Sequence, residues 1–321
     1  RLMFDWVINH VSANSAWFKA YLADEPVFEN LAVEAEPSED LSIVTRPRAL
    51  PLLTPFDKKD GRCVHVWTTF SADQIDLNFK SLDVLTAMID IMLTYVQNGA
   101  SILRLDAIAY LWKEVGTTCI HLPQTHLMVK LFRAILDILA PHVLLITETN
   151  VPHEENISYF GDGGDEAQLV YNFSLPPLLL HAFLKEDVSL LSRWAATLGP
   201  LNDHTTFFNF TASHDGIGVR PLEGLVPSED IAAIIKAVKA SGGDVSYKRD
   251  PDGTDSPYEL NITYVDAVRG SGAGGDEMHA RRFLATQSIA LVLPGVPGIY
   301  IQSLLGSRNW YEGVALTGRA R

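Results

Sequence analysis

Cysteine is scarce in this sequence, and no long uninterrupted hydrophobic run occurs. Its two cysteines, Cys63 and Cys119, are too few for a disulfide framework and lack metal-ligand spacing. The longest apolar run, IALVLPGVPGIYI, contains two prolines and two glycines and is too short to span a bilayer. These features predict a protein of a reducing compartment, with the cytoplasm as the expected location and no membrane partner.

Basic residues are also few. Lys and Arg number 25 against 39 Asp and Glu, which gives a formal net charge of −14. The average surface of such a protein repels polyanions, so we expect no nucleic-acid partner. An anionic substrate would require a local basic pocket.

Two classes of motif are missing as well. No glycine-rich phosphate turn follows the first apolar run, which argues against a doubly wound nucleotide-binding sheet. Carboxylates and histidines can ligate divalent ions, but no His-x-His or His-Glu-x-x-His spacing occurs. We therefore expect catalysis without a metal ion or a cofactor.

Apolar runs alternate with amphipathic segments along most of the chain. The runs typical of buried parallel strands are LMFDWVI, SILRLDA, VLLITET, QLVYNF, TTFFNFTAS and PGIYI. The amphipathic segments predict helices over Leu82–Gln97, Thr125–Leu139, Pro177–Leu198, Pro227–Ala240 and Glu277–Leu293. With 47% hydrophobic residues, the 321-residue chain can bury a large core. The order predicts an α/β fold of the (β/α)8 TIM-barrel type.

Polar residues follow or end several of these strands. In chain order they are Asn9, His10, Arg104, Asp106, Glu148, His214 and Asp215. Each alone is also compatible with a helix cap or a salt bridge. In a barrel, however, the carboxyl ends of the strands meet at one mouth, where active sites are built. Together they predict a single active-site rim.

The motifs DWVINH, LRLDA, ITET and SHD resemble the four motif regions of the α-amylase superfamily of glycoside hydrolases. The longer stretches WTTFSADQIDLNF, AYLWKEVGTTC, LPPLLLHAF, SHDGIGVRPLEGLVP and LPGVPGIYIQSLLG resemble its sucrose phosphorylase branch. Within that branch the sequence of these stretches is most similar to the glucosylglycerate phosphorylase subgroup. The glucosylglycerol phosphorylase and sucrose 6-phosphate phosphorylase subgroups remain as alternatives. The resemblance implies an enzyme whose partners are a small α-glucoside and inorganic phosphate, and whose product is α-glucose 1-phosphate.

The resemblance also implies a role for each matching residue. Asp106 corresponds to the nucleophile, Glu148 to the general acid/base, and Asp215 to the carboxylate that holds the sugar hydroxyls. The residues implied to line or frame the glucose are His10, Phe70, Arg104, Tyr110, His214 and Arg321. Two alternatives stay open: a retaining α-glucosidase or sucrose hydrolase, and a non-catalytic sugar-binding relative or inactive fragment.

Elementary chemistry explains why charges would stand at the end of a buried strand. Arg104 precedes Asp106 by two residues, so both side chains point to the same side of the strand. A neighbouring arginine favours the ionised form that a nucleophilic carboxylate needs. The apolar VLLIT before Glu148 favours a protonated acid there. Two such carboxylates about 5 Å apart give a retaining double displacement.

Phosphate recognition requires planar donors in this acidic protein. TRPRALP supplies Arg46 and Arg48, and arginine is suited to bidentate oxyanion binding. The resemblance assigns phosphate to Arg48, although two solvated loop arginines are the simpler interpretation. Glu259 in SPYELN stands where sucrose phosphorylases carry Gln on the acceptor side, so the acceptor stays open.

The resemblance begins at the third barrel strand and divides the chain into three parts. Residues 1–12 correspond to that strand, and residues 82–321 to the remaining barrel with a loop insertion at about 241–276. Residues 13–81 are rich in Pro, Asp and Glu and weakly periodic, which predicts an inserted subdomain. We expect part of a longer protein, without the first two β/α units and a small C-terminal domain.

Overall fold

The computed structural model describes residues 1–198, 202–250, 252–270, 275–318 and 320. The chain folds into two compact units. The first comprises Arg1–Thr149, Tyr159–Leu169 and Tyr247–Ser256, and the second Asn150–Ser158, Val170–Ser246 and Pro257–Arg321. In the described ranges, every helix is too short or too polar to span a lipid bilayer.

Thirteen strands and eleven α-helices lie in the described residues. The strands are β1 (Leu2–Val7), β2 (His10–Ser12), β3 (Leu53–Asp57), β4 (Cys63–Trp67), β5 (Gln74–Asp76), β6 (Ala100–Asp106), β7 (Leu144–Thr147), β8 (Leu169–Tyr171), β9 (Thr206–Asn209), β10 (Ile217–Gly218), β11 (Asp244–Arg249), β12 (Asp255–Asn261) and β13 (Val296–Pro297). The helices are α1 (Ala16–Leu22), α2 (Leu82–Gln97), α3 (Pro123–Leu139), α4 (His153–Ile157), α5 (Leu175–Lys185), α6 (Ser189–Thr197), α7 (Ser228–Ala240), α8 (Tyr264–Ala267), α9 (Gly275–Val292), α10 (Ile301–Leu304) and α11 (Tyr311–Thr317).

A parallel ladder of three strands organises the first unit. β6 pairs with β1 on one side and with β7 on the other. The register places Val7 opposite Asp106, and Leu105 opposite Thr147. Leu103 and Leu105 are completely buried. β6 and β7 are mostly buried and mostly apolar, and polar groups follow at their ends, as predicted for a parallel sheet. The prediction of a buried strand is wrong for β1, which carries Asp5 and exposes Leu2, Met3 and Val7.

Helices α2 and α3 of the first unit follow from their sequence patterns. The Ser81 hydroxyl accepts a hydrogen bond from the Val84 amide and caps α2, whose bounds match the prediction. Pro123 opens α3, a position where its missing N–H costs nothing. Phe132 of α3 packs edge-on against Trp6 of β1, with ring centroids 5.0 Å apart. This contact joins a helix to the sheet through two fully buried rings.

Antiparallel pairs complete the first unit. β2 pairs with β5, which sets His10 opposite Asp76, and β3 pairs with β4. A small apolar cluster of Val44, Leu52, Trp67 and Cys119 supports this region. Most of residues 13–81 thus consist of short ladders and loops.

The second unit contains a parallel pair and an antiparallel pair. β9 pairs with β13, with Phe208 opposite Val296, and β10 pairs with β12, with Gly218 opposite Glu259. Helix α5 is buried from Leu175 to Ala182, which matches its nearly continuous apolar sequence.

The prediction of one helix over Pro177–Leu198 is wrong, because the chain leaves the helix at Glu186. This residue has φ of 55°, a left-handed conformation that ends α5. The Asp187 carboxylate then accepts a hydrogen bond from the Ser189 amide at the start of α6. No glycine or proline in the sequence announces this break.

One further prediction, of a strand at PGIYI, needs correction. Of the predicted strand PGIYI, only Pro297 lies in a strand; Pro297 has no N–H to continue the ladder, and a helix begins at Ile301. The predicted loop insertion at 241–276 contains β11, β12 and α8, in addition to loops. Residues 251 and 271–274 of that segment lie outside the described residues.

Candidate active site

Asp106 and Glu148 stand at the carboxyl ends of two neighbouring parallel strands. Asp106 is the last residue of β6, and Glu148 directly follows β7. The Glu148 amide donates to the carbonyl oxygen of Leu105 at 3.1 Å, which continues the ladder by one residue. Their side chains are 22% and 16% exposed, so solvent reaches both only in part.

The Arg104 guanidinium lies between three carboxylates. Its Nη1 is 2.6 Å from Asp106 Oδ1 and 2.6 Å from Asp5 Oδ1, and its Nη2 is 4.0 Å from Glu148 Oε2. The arginine side chain is 9% exposed, so its charge is poorly screened. Asp106 and Glu148 therefore meet one cation, as the strand-end pattern predicted for Arg104 and Asp106.

A strained turn follows Asp106. Ala107 has φ of 51°, a left-handed conformation that only a few per cent of non-glycine residues adopt. Its backbone N–H donates to Glu148 Oε2 at 3.1 Å. The Ala107 amide and the Arg104 guanidinium thus both lie beside the Glu148 carboxylate, whereas the sequence had indicated an apolar setting.

The first unit also contains a buried polar network, of which sequence reasoning named Asn9 but not Lys113 or Asp76. Lys113 Nζ donates to Asp76 Oδ2 and to Asn9 Oδ1, each at 2.7 Å. Asn9 Nδ2 in turn donates to Asp76 Oδ2 at 3.3 Å. Thr69 donates to the same carboxylate from its amide, at 3.1 Å, and from its hydroxyl, at 2.6 Å. Every polar end of the Lys113–Asp76 pair thus has a partner.

His10 joins this network to an aromatic row. Its Nδ1 lies 3.4 Å from Asn9 Nδ2, and its Nε2 lies 2.8 Å from Gln74 Nε2. The Phe70 ring is 5.5 Å from the His10 ring, and the Tyr110 ring is 5.4 Å from Phe70. The three predicted sugar-framing residues His10, Phe70 and Tyr110 are therefore brought together.

Burial and the neighbouring carboxylates shift the pKa of His10 in opposite directions, and the same is true of Lys113. Burial is the main cause that lowers the pKa of His10, while the carboxylates of Asp76 and Asp106 act to raise it. Burial likewise lowers the pKa of the Lys113 ammonium, and Asp76 opposes that change. Asp106 is thus one of the charges that His10 experiences.

The predicted phosphate residues lie on a loop of the first unit. Arg46 forms a single β-bridge with Arg249, and both line a cavity of about 400 Å³ together with Ser42 and Asp250. Arg46 donates through Nη2 to the carbonyl oxygen of Leu50. Burial, followed by the Arg249 charge, lowers the pKa of the Arg46 guanidinium. Arg48 is half-buried.

The second unit carries His214 and Asp215 next to its own cavity. His214 Nε2 is 3.4 Å from Asp215 Oδ2, and the Asp215 amide donates to Ser213 Oγ at 3.1 Å. The cavity of about 450 Å³ is lined by both residues together with Asp244, Thr263 and Trp310. Glu259, on β12, is 3% exposed. Arg321, the last predicted sugar contact, lies outside the described residues.

Sequence reasoning named only part of the first-unit network. Lys113 and Asp76 are polar residues in segments of irregular pattern, which is typical of solvated surface. One signal was available: Asn9 and His10 follow a strand, so a partner for their side chains was required. Among the described residues, no group of three or more His, Cys, Asp or Glu is arranged to hold a metal ion.

Comparisons with known proteins identify the family of this chain. Residues 1–213 match the family model described as "Alpha amylase, catalytic domain". Glucosylglycerate phosphorylase of Escherichia coli (strain K12) is 55% identical over 320 residues, covering 100% of this chain and 57% of the relative. Glucosylglycerate phosphorylase of Spirochaeta thermophila is 57% identical over 321 residues, covering 100% of this chain and 54% of the relative. The chain thus spans little more than half the length of these relatives.

A solved structure shows the fold. Sucrose 6F-phosphate phosphorylase from Thermoanaerobacter thermosaccharolyticum matches with a TM-score of 0.84 at 24% identity, covering 99% of this chain and 65% of that structure. The family model and this structural match together confirm the prediction of a TIM-barrel fold of the α-amylase superfamily.

Proposed function

Because the chain belongs to the α-amylase catalytic-domain family, we propose that the full-length protein is a retaining glycoside phosphorylase. It transfers an α-glucosyl group from a glucoside of the glucosylglycerate type to inorganic phosphate. The observation that carries the chemistry is that Asp106 and Glu148, on adjacent strand ends, meet the same Arg104 guanidinium. The observation that favours the substrate class is 55% identity to a glucosylglycerate phosphorylase.

In the first half-reaction, Asp106 attacks the anomeric carbon of the glucosyl group. The bond to the glycerate oxygen breaks, and Glu148 in its protonated form donates its proton to that oxygen. Arg104 orients the Asp106 carboxylate for the attack through the contact at 2.6 Å. The product is a covalent glucosyl-enzyme.

In the second half-reaction, a phosphate oxygen attacks the same carbon and displaces Asp106. Glu148, now ionised, accepts the proton of the attacking phosphate, which restores its acid form. The contacts of Glu148 with the Ala107 amide and Arg104 stabilise this ionised state. Two inversions leave an α-linked glucose 1-phosphate.

The remaining roles extend this proposal residue by residue. Asp215 holds the sugar hydroxyls as the third carboxylate, and His10, Phe70, Tyr110, His214 and Arg321 line or frame the sugar. Arg48, with Arg46 near it in sequence, binds the phosphate, and Glu259 lies on the acceptor side. Residues 13–81 form a subdomain inserted after a barrel strand, and the enzyme requires no metal or cofactor.

The decisive experiment is a phosphorolysis screen of the full-length protein with glucosylglycerate, glucosylglycerol and sucrose. We expect α-glucose 1-phosphate from glucosylglycerate first, and no product of any kind from Asp106→Asn, because an amide cannot act as the nucleophile. Free glucose alone at saturating phosphate would identify a hydrolase instead.

The phosphate assignment has its own test. Arg48→Ala should lower the rate of the phosphate-dependent step roughly ten- to a hundredfold, the loss of a charge-assisted contact, and raise the ratio of glucose to glucose 1-phosphate. Formation of the glucosyl-enzyme should persist, because it needs no phosphate. An unchanged product ratio would rule out Arg48 as the phosphate residue.

A further inference from the structure

The Lys113–Asp76 ion pair is sealed from solvent. The two side chains are 2% and 0% exposed. Removing two charges from water is costly, and buried ion pairs add little stability compared with apolar residues of the same volume. The pair also lies too deep to touch a substrate. The pair must therefore act by orienting neighbouring side chains.

The ammonium of Lys113 determines how the Asn9 amide is oriented. An ammonium only donates, so the amide atom 2.7 Å from Lys113 Nζ must be the oxygen. The Asn9 amide nitrogen is then directed to Asp76 and to His10 Nδ1, which lies 3.4 Å away. Lys113 thereby presents an N–H donor to one ring nitrogen of His10.

A donor at this position discriminates between the two charge states of the imidazole. The imidazolium carries N–H on both nitrogens, so its Nδ1–H would face the Asn9 N–H. The neutral imidazole has one unprotonated nitrogen, which can accept from a donor. Gln74 Nε2, 2.8 Å from His10 Nε2, is a second donor, so the imidazolium meets an N–H at both of its nitrogens and the neutral ring at only one. The network therefore favours the neutral ring on geometric grounds.

The surrounding charges are mixed. The Lys113 cation and burial disfavour the imidazolium, whereas the carboxylates of Asp73, Asp76 and Asp106 favour it. The other neighbours are uncharged: Gln74 at Nε2, at 2.8 Å, and the Phe70 ring. Without Lys113, the three carboxylates would act on His10 unopposed by any cation within this set.

We propose that Lys113 is a positioning residue that fixes the Asn9 amide and so keeps His10 neutral in the field of Asp106. This inference rests on the proposed function, in which Asp106 is the nucleophile. An imidazolium would offset, through space, the negative charge of the Asp106 carboxylate that the attack requires. A neutral imidazole hydrogen-bonds to a sugar hydroxyl without that competition.

The test measures the titration of His10 directly, in the full-length protein labelled with ¹³C-histidine. The His10 resonance is identified by its loss in His10→Gln. We expect the wild-type ring to take up its proton below about pH 6.5, the ordinary value for histidine. In Lys113→Met the titration should move to higher pH, because the cation is gone and the Asn9 oxygen can turn towards a protonated Nδ1.

Lys58→Met is the matched control. Lys58 is also buried, with a side chain 4% exposed, and it pairs with Asp24 at 3.2 Å. Its loss should lower stability without moving the His10 titration. An unchanged titration in folded Lys113→Met, or an equal shift in Lys58→Met, would overturn the proposal.

A wild-type measurement decides the matter if Lys113→Met does not fold. A wild-type His10 that protonates at or above pH 6.5 would refute the proposal without any variant. Kinetics add a second readout: the acid limb of kcat/KM should move to higher pH in Lys113→Met. The nuclear magnetic resonance titration needs no turnover, so failure of the proposed function, seen as undiminished activity in Asp106→Asn, is distinguishable from failure of this inference.

Discussion

The backbone N–H of Ala107 donates to Glu148 Oε2 at 3.1 Å, from a residue whose φ is 51°. A left-handed conformation costs a non-glycine residue about 1–2 kcal/mol. The turn that follows one reacting carboxylate therefore positions a donor for the other, and strain is maintained where the proposed chemistry occurs.

Substitutions at Ala107 should separate the strain from the hydrogen bond. Ala107→Gly accepts the same φ, so we expect its free energy of unfolding to stay within about 1 kcal/mol of wild type. Ala107→Val should lose about 1–3 kcal/mol, because a β-branched residue is poorly accommodated there, and turnover should fall as the N–H shifts. Urea unfolding and glucose 1-phosphate formation measure both. Wild-type stability in the valine variant would contradict the argument.

The second prediction concerns Arg104. Arg104→Met leaves Asp106 and Glu148 without their shared cation, and we expect roughly a ten- to hundredfold loss of kcat, equivalent to about 1.5–3 kcal/mol. Arg104→Lys keeps the charge but not the fork that reaches several carboxylates, so its kcat should be intermediate. Asp5→Asn is the comparison, because Asp5 is 53% exposed and touches the same nitrogen as Asp106. Its effect should be smaller than that of Arg104→Met, and equal losses would contradict the assigned role of Arg104.

Glu186 gives a prediction about stability alone. It ends α5 with φ of 55°, and its side chain is 79% exposed. Glu186→Gly should stabilise the protein by about 1 kcal/mol, because glycine adopts this conformation without steric cost. Glu186→Ala is the control: it also removes the ion pair with Arg282 but keeps the strain, so it should not stabilise. Equal thermal midpoints for the two variants would be the contrary result.

Tyr264 gives a pH-dependent prediction. It is fully buried, its hydroxyl donates to the carbonyl oxygen of Pro176 at 2.7 Å, and burial raises its pKa above the ordinary value of 10.0. Because the folded pKa lies above the unfolded one, the contribution is complete below about pH 10 and is lost as the pH rises further.

Unfolding midpoints in guanidinium between pH 8 and pH 11 test this sign. The wild-type midpoint should fall above pH 10, and the fall should be shallower in Tyr264→Phe. That variant should lose about 1 kcal/mol at neutral pH, the worth of one hydrogen bond. Parallel curves for the two proteins would show that Tyr264 does not titrate as described.

Sequence reasoning reached some parts of this molecule and not others. Parallel strands are typically apolar runs, so the existence of β1, β6 and β7 and the polar groups that follow them could be predicted from pattern alone. The exposure of most of β1 could not. α2 could be predicted to the residue, because Ser81 marks its start. The break at Glu186 could not, since a glutamate at positive φ carries no local signal.

The buried network around His10 could not be predicted for a different reason. Asp76 reaches His10 through the β2–β5 register, and Lys113 comes from a segment after β6. Polar residues in weakly periodic segments are usually solvated, so nothing local distinguishes a lysine at 2% exposure from one at the surface. Only the folded structure shows which charged side chains are buried from solvent.

Because the Lys113–Asp76 pair is buried, dissolved salt should hardly change the electrostatic effect of this pair on its neighbours. Dissolved salt screens exposed charges over about 10 Å at 0.1 M, and the surface pair Arg281–Glu277, with side chains 71% and 79% exposed, is subject to that screening. Counterions cannot approach a pair that is 2% and 0% exposed. The field that Lys113 exerts on Asn9 and His10 should therefore stay nearly constant from dilute buffer to concentrated salt, while surface contributions to stability fade.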